Sequence, residues 1–180
     1  MMEFNEIELK GGKLIGEGSS TCVFKPNLPC SNNTTINNNI ITKLFLKKEK
    51  DINKKINFNK KISRLENSNQ WSVVLYNKCF SPDYKTLLKH DKDINLCLNS
   101  NDMDQYGFNS DKYLMLYGDY GGINLNEYTV QITNKLNNVT ILNGFLKSLI
   151  SLFYGLHIMS INNILHFDIK PLNIVYNNKL

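Results

Sequence analysis

Apolar positions come in short alternating runs through the first two thirds of the chain and then settle into a helical rhythm. Residues 5 to 16 and 21 to 25 read as two strands around "GEGSST", a Gly-rich turn. The polar, turn-rich segment 26 to 39 reads as a loop, and "IITKLFL" (40 to 46) as a β-branched apolar strand. From Lys47 to Leu65 the period lengthens. Ile52, Ile56, Ile62 and Leu65 can share one face of a helix whose other faces carry Lys. "WSVVLYNKCF" (71 to 80) and "KYLMLYG" (112 to 118) return to strand character, separated by an insertion of low hydrophobicity at 81 to 111.

The connector "DYGG" changes the pattern. Asn124 and Glu127 stand at capping-box spacing. A long helix is predicted over about 139 to 160, with Leu142, Phe145, Leu146, Leu149, Leu152, Phe153, Leu156 and Met159 at i, i+3, i+4 spacing and Asn162-Asn163 closing it. The stretch "SLISLFYGLHIMSINNIL" is interrupted by Gly155, His157 and two Asn, so it reads as a buried helix rather than a membrane span. The pattern predicts an α+β chain in two lobes. A β-rich lobe covers 1–118, a hinge 119–123, and a helical part 124–180.

Composition and charge add further constraints. With 42% hydrophobic residues the chain can build a packed core. Its 28 Asn and complete lack of Ala point to codon bias from an AT-rich genome, so runs such as Asn37-Asn38-Asn39 carry no chemistry. Net charge is +5, from 20 Lys and one Arg against 16 acids, which suits an anionic ligand without selecting one. The Lys-rich segment 47 to 61 has few interleaved aromatics and reads as a solvated helix face rather than a nucleic-acid surface. Cys22, Cys30, Cys79 and Cys97 show no CxxC pairing, which argues against zinc and for reduced thiols. The N-terminal "MMEFNEIELK" has no apolar h-region, so a cytoplasmic location is expected.

Three stretches carry candidate chemistry. In "GEGSSTCVF", Gly16 and Gly18 let backbone N–H groups approach phosphate oxygens with no Cβ in the way; the plain alternative is a hairpin turn. A following strand rules out a Rossmann site, and the missing Gly-Lys-Ser/Thr rules out a Walker loop. Lys43 stands among apolar strand residues, where it must face solvent or meet an anion. In "HFDIKPLN", Pro171 prevents helix and lets Asp168, Lys170 and Asn173 aim into one place. A carboxylate can receive a hydroxyl proton, an ammonium can offset phosphoryl charge, and an amide oxygen is a hard ligand suited to Mg²⁺. Ile164, Leu165, Ile174 and Val175 flank the loop and are expected to be buried.

These stretches, in this order, resemble the eukaryotic-type protein kinase family. "HFDIKPLN" is similar to its H-R-D-x-K-x-x-N catalytic loop, "GEGSSTCV" to its Gly-rich loop, and Lys43 to its VAIK lysine. "VFKPNLPC" and "YGGINL" resemble kinases of large DNA viruses, which would place the protein in a host cytoplasm. The resemblance implies an ATP- and Mg²⁺-dependent Ser/Thr kinase. Backbone groups from Gly16 and Gly18 to Thr21 would cover the phosphates, Val23 would pack on the adenine, and Lys43 would bind the α and β phosphates. Asp119 and Gly121 would present hinge backbone groups to the adenine edge. Asp168 would deprotonate the substrate hydroxyl, Lys170 would stabilise the γ-phosphoryl group, and Asn173 would hold a Mg²⁺ ion. The implied partners are ATP and a protein substrate or regulatory protein, with no nucleic acid and no membrane.

Departures from the family pattern shape the expectation. Thr21 stands for the third glycine and Phe167 for the Arg of HRD. The helix acid that should pair with Lys43 has no clear place: Glu49 and Asp51 come early, Glu66 late, and Asn57 and Asn59 lie between. "NIVYNNKL" reads as a strand and the start of a hairpin, and the family's DFG motif does not occur. Nucleotide binding with weak turnover is therefore expected of these 180 residues. A partner-docking pseudokinase is the main alternative. A small-molecule kinase of similar fold is disfavoured by Lys170-Pro171.

Overall fold

The computed structural model describes residues 12–18, 21–32, 35–45, 49–90, 93–99, 113–135 and 138–177. Residues 5–11 of the first expected strand, Ser19 and Ser20 of the Gly-rich turn, residues 100–111 of the insertion and the hairpin return at 178–180 lie outside them. The chain divides into two compact units, one of residues 1–56 and 75–120, the other of 57–74 and 121–180. Residues 57–74 therefore group with the second unit, although the sequence pattern assigned them to the first lobe.

The first unit is built on one antiparallel sheet. Its strands are β1 (Lys13–Gly18), β2 (Thr21–Lys25), β3 (Ile40–Phe45), β4 (Leu75–Phe80) and β5 (Leu114–Asp119), in the order β1-β2-β3-β5-β4. The "WSVVLY" expectation is corrected at its N-terminal end. Trp71 closes a short helix, α2 (Ser68–Trp71), entered through left-handed Asn67, so strand structure begins only at Leu75.

Period-two alternation gives the sheet two apolar faces. Cys22, Phe24, Leu44 and Met115 point to one face and join Leu28 and Tyr113 in the larger core. Phe45, Leu114 and Leu116 point to the other and meet Ile52 and Ile56 from α1 (Glu49–Ser63). The larger core is closed by α3 (Tyr84–His90) and α4 (Asp93–Asn99), through Leu87, Ile94 and Cys97. The segment read as an insertion of low hydrophobicity thus supplies core. It is hard to recognise because each helix is only seven residues long, about two turns, which leaves little room for a helical period to show. Thr42 is buried in this sheet, and its Oγ1 accepts the Leu28 N–H at 2.8 Å.

All four cysteines are paired, which corrects the expectation of free thiols. Cys22 is bonded to Cys97 and Cys30 to Cys79, with sequence separations of 75 and 49 and Cα–Cα distances of 6.1 Å in both. Spacing rules detect short-range motifs, and such distant pairs leave no trace in them.

The second unit centres on α6 (Val139–Ile161). Its N-terminus is capped by Asn138, whose side chain accepts from Thr140 and Ile141. Near its other end Met159 meets Ile62 and Ile164, with Leu65 and Trp71 alongside. A Cβ on Gly155 would lie 2.7 Å from the Trp71 ring, so the helix reaches the indole only because this position has no side chain. The Trp71 Nε1–H donates to the Glu66 carbonyl at 3.0 Å and holds the indole in place.

The expected burial of α6 is corrected over most of its length. Among its described residues only Gly155, Ile158 and Met159 are buried, while Leu142, Leu146, Ile150 and Phe153 are exposed. The helix is long and apolar enough to cross a membrane by length and composition, with mean hydropathy 1.4. The second unit also holds α5 (Leu125–Ile132) and the strand pair β6 (Ile123–Asn124) and β7 (Val175–Tyr176). The Asn124 Oδ1 accepts the Glu127 N–H at 2.9 Å, as the capping-box spacing predicts, and the Glu127 carboxylate accepts from the Asn124 side-chain Nδ2 at 2.7 Å.

Phe24 is fully buried in the larger core. Phe24→Ala is expected to lower unfolding free energy by about 3–5 kcal/mol, read from urea denaturation. Gly155→Ala is expected to destabilise as well, although Ala has the higher helix propensity by ~1 kcal/mol, because its Cβ has no room beside Trp71.

Candidate functional site

The sequence-predicted residues fall into both units. In the first, antiparallel register aligns a cross-strand row: Gly16 opposite Val23, Val23 opposite Lys43, and Lys43 opposite Leu116. Directly paired residues share a face, so Gly16, Val23 and Lys43 stand side by side. This is the face on which α1 packs, since Phe45 and Leu116 belong to the core with Ile52. A register shift between Leu14 and Gly16 marks a bulge just before the turn. Gly18 lies opposite Thr21, and a Cβ there would come within 3.4 Å of the Thr21 Oγ1.

Lys43 is half-buried and has no ion pair among the described residues. Burial pushes its ammonium below the usual lysine range, and the positive charge of Lys55 on α1 adds to this. The Lys55 Nζ lies 5.5 Å from the Phe45 ring centroid. Phe45 is two residues along β3 from Lys43, so both lysines serve the same side of the sheet. Glu66, one sequence candidate for the Lys43 partner, belongs to the second unit and accepts from the Tyr154 hydroxyl at 2.9 Å. A half-buried cation with a second cation near it is an arrangement that favours an anion. Sequence reasoning passed over Lys55, although its place three residues after Ile52 sets it at the edge of the apolar face of α1.

Asp119 ends β5, opposite Ile40, and its Oδ1 accepts from the Tyr76 hydroxyl at 3.2 Å. Gly121 belongs to the second unit and is held tightly, with Val73 and Val175 where a side chain would be. Gly122 has φ of 100° and lies against the Tyr176 carbonyl, a conformation and a contact that only glycine accommodates.

In the second unit the loop after α6 brings Asp168, Lys170 and Asn173 together. Ile164 anchors it in the core, and Pro171 opens a single 3₁₀ turn over Pro171–Asn173 that returns Asn173 toward Asp168. The Asn173 Nδ2 donates to the Asp168 Oδ2 at 2.8 Å and to the Asp168 carbonyl at 2.9 Å. The Lys170 Nζ lies 3.1 Å from the same Oδ2. The Asp168 N–H donates to the His166 Nδ1 at 3.3 Å. The Lys170 hydrogen bond, followed by that of Asn173 and the charges of Lys170 and His166, holds the Asp168 carboxyl below its usual range. The carboxylate is therefore ionised, exposed and oriented. The expected burial of the flanks is corrected: Ile164 is buried and Ile174 half-buried, whereas Leu165 and Val175 are exposed. Phe167 is 91% exposed where a buried side chain would have helped to fix the loop.

No protein-family model matches the sequence, and no curated protein matches it.

Two titrations follow from these environments. Because folding lowers the Lys43 pKa below 10.5, the unfolded chain binds the extra proton, and stability gains as pH rises toward that value. Lys43→Met is expected to be more stable than wild type at neutral pH, with the difference shrinking as pH rises toward 10.5, in urea midpoints measured against pH. The Asp168 carboxyl is expected to titrate below 3.8 by ¹³C NMR, and Lys170→Met to raise its midpoint. The small stability that this carboxylate adds is present above 3.8 and is lost as pH falls through its folded value.

Proposed function

We propose that the chain is a protein-kinase-like ATP-binding protein that transfers the γ-phosphoryl group of ATP to a Ser or Thr hydroxyl of a protein substrate. The observation that carries the reading is the Asp168–Lys170–Asn173 cluster on "HFDIKPLN", ordered by three short polar contacts. Asp168 accepts and orients the substrate hydroxyl proton. Lys170 offsets negative charge on the transferring group. Lys43 binds the α and β phosphates, Val23 packs on the adenine, and backbone N–H groups of Gly16, Gly18 and Thr21 cover the phosphate chain. Backbone groups of Asp119 and Gly121 meet the adenine edge.

Mg²⁺, when bound, would neutralise phosphate charge, and the Asn173 amide oxygen would hold it. The fit is partial. Asn173 offers a hard oxygen, but no group of three or more His, Cys, Asp or Glu able to hold a metal occurs among the described residues.

The exposed apolar positions Leu142, Leu146, Ile150 and Phe153 of α6 favour a second reading, a nucleotide-binding regulatory protein with slow turnover that acts through a protein partner. ATP titration followed by calorimetry, with and without Mg²⁺, and ³²P transfer to a Ser/Thr acceptor protein separate the two. The enzyme reading expects ATP binding that Lys43→Met weakens tenfold or more. It also expects phosphoryl transfer that Asp168→Ala lowers by roughly 10²–10⁴ while ATP affinity changes little. Binding without transfer selects the regulatory reading. Absence of ATP binding refutes both.

A further inference from the structure

We propose that the Cys22–Cys97 disulfide is a redox latch that couples α4 to the Gly-rich hairpin and so controls nucleotide binding. The control of nucleotide affinity rests on the kinase-like reading above; the latch itself does not.

Cys22 follows Thr21 directly and stands opposite Glu17, inside the pairing that closes the Gly-rich turn. Its side chain points to the face of the sheet away from Val23 and Lys43, because neighbouring strand residues alternate. There it is bonded to Cys97, 75 residues away on α4. Two further contacts hold the same helix. The Leu14 N–H of β1 donates to the Asp93 Oδ2 at 3.2 Å, and Ile94 is fully buried in the core with Phe24. Thus α4 backs both strands of the hairpin whose opposite face is to carry the nucleotide.

The helix has seven residues, too few to persist without tertiary support. The disulfide is the covalent part of that support. Closing it joins the two thiol sulfurs and releases two protons and two electrons. A disulfide oxidant such as glutathione disulfide takes them up and becomes two thiols. Reduction by a dithiol reverses the step. Disulfides persist in oxidising surroundings and open in a reducing cytoplasm, so the two states report the compartment.

The two disulfides differ in access. Cys22 and Cys97 are fully buried, whereas Cys79 of the other pair is half-buried. A reductant reaches Cys30–Cys79 directly but must wait for α4 to open before it attacks Cys22–Cys97. The second reaction is therefore slow, and it is the one linked to the hairpin.

The test uses the full chain, oxidised with glutathione disulfide or reduced with dithiothreitol and alkylated. Peptide mapping is expected to find Cys22 linked to Cys97 in the oxidised chain. Reduction should speed amide exchange in residues 13–25 at least tenfold and weaken ATP binding by a similar factor. Cys97→Ser should reproduce both effects and abolish the response to reductant, while the Cys30→Ser, Cys79→Ser double variant should keep that response. If Cys97→Ser does not fold, the alkylated wild-type chain carries the test. Unchanged exchange on reduction, or a Cys97→Ser chain that still responds to dithiothreitol, overturns the latch. If neither state binds ATP, the nucleotide reading fails, and the exchange data alone decide the latch.

Discussion

The first unit depends on one constraint, the strict alternation of β3 between two apolar faces. Leu44 and Thr42 point into the core closed by α3 and α4; Phe45 points into the core closed by α1. Lys43 falls between them and must share the α1 face. A register slip of one residue would send Leu44 to the α1 side and Lys43 into the larger core. That core is lined by apolar side chains such as Phe24, Leu28, Leu44 and Met115, so the cost of burying a charge among them opposes the slip. The same alternation on β2 sets Val23 beside Lys43 and turns Cys22 toward α4. Candidate chemistry and covalent support therefore occupy opposite faces of one hairpin.

The second unit uses a different device. A local turn, rather than a sheet, assembles its polar cluster. Pro171 has no N–H to give and a restricted φ, so the backbone closes in a single 3₁₀ turn that brings Asn173 back to Asp168. Because every contact in the cluster lies within eight residues, its geometry needs only the Ile164 anchor and the β6–β7 pairing on either side. The cluster is exposed, so its hydrogen bonds orient the carboxylate more than they stabilise the fold.

Much of this was legible in the sequence, for identifiable reasons. β3, α6, the Asn124 cap and the Asn162-Asn163 stop were readable because each depends on residues close together along the chain. The convergence of Asp168, Lys170 and Asn173 was readable for the same reason. What could not be read depends on distant partners. Cys22 and Cys97 meet only because α4 folds onto the hairpin. Trp71 ends a short helix rather than starting a strand because it docks at Gly155, far along the chain. The α6 periodicity correctly predicted an apolar face but not its exposure, because periodicity describes the helix and not what packs against it.

The central claim is that the half-buried Lys43 ammonium is a nucleotide phosphate ligand. An acyl-phosphate derivative of ATP, which acylates whichever lysine its phosphate chain meets, tests this most directly when the labelled peptides are mapped by mass spectrometry. Selective labelling of Lys43 at substoichiometric reagent, suppressed by excess ATP but not by AMP, is the predicted result. Labelling spread over the exposed lysines of α1, unaffected by ATP, would contradict it.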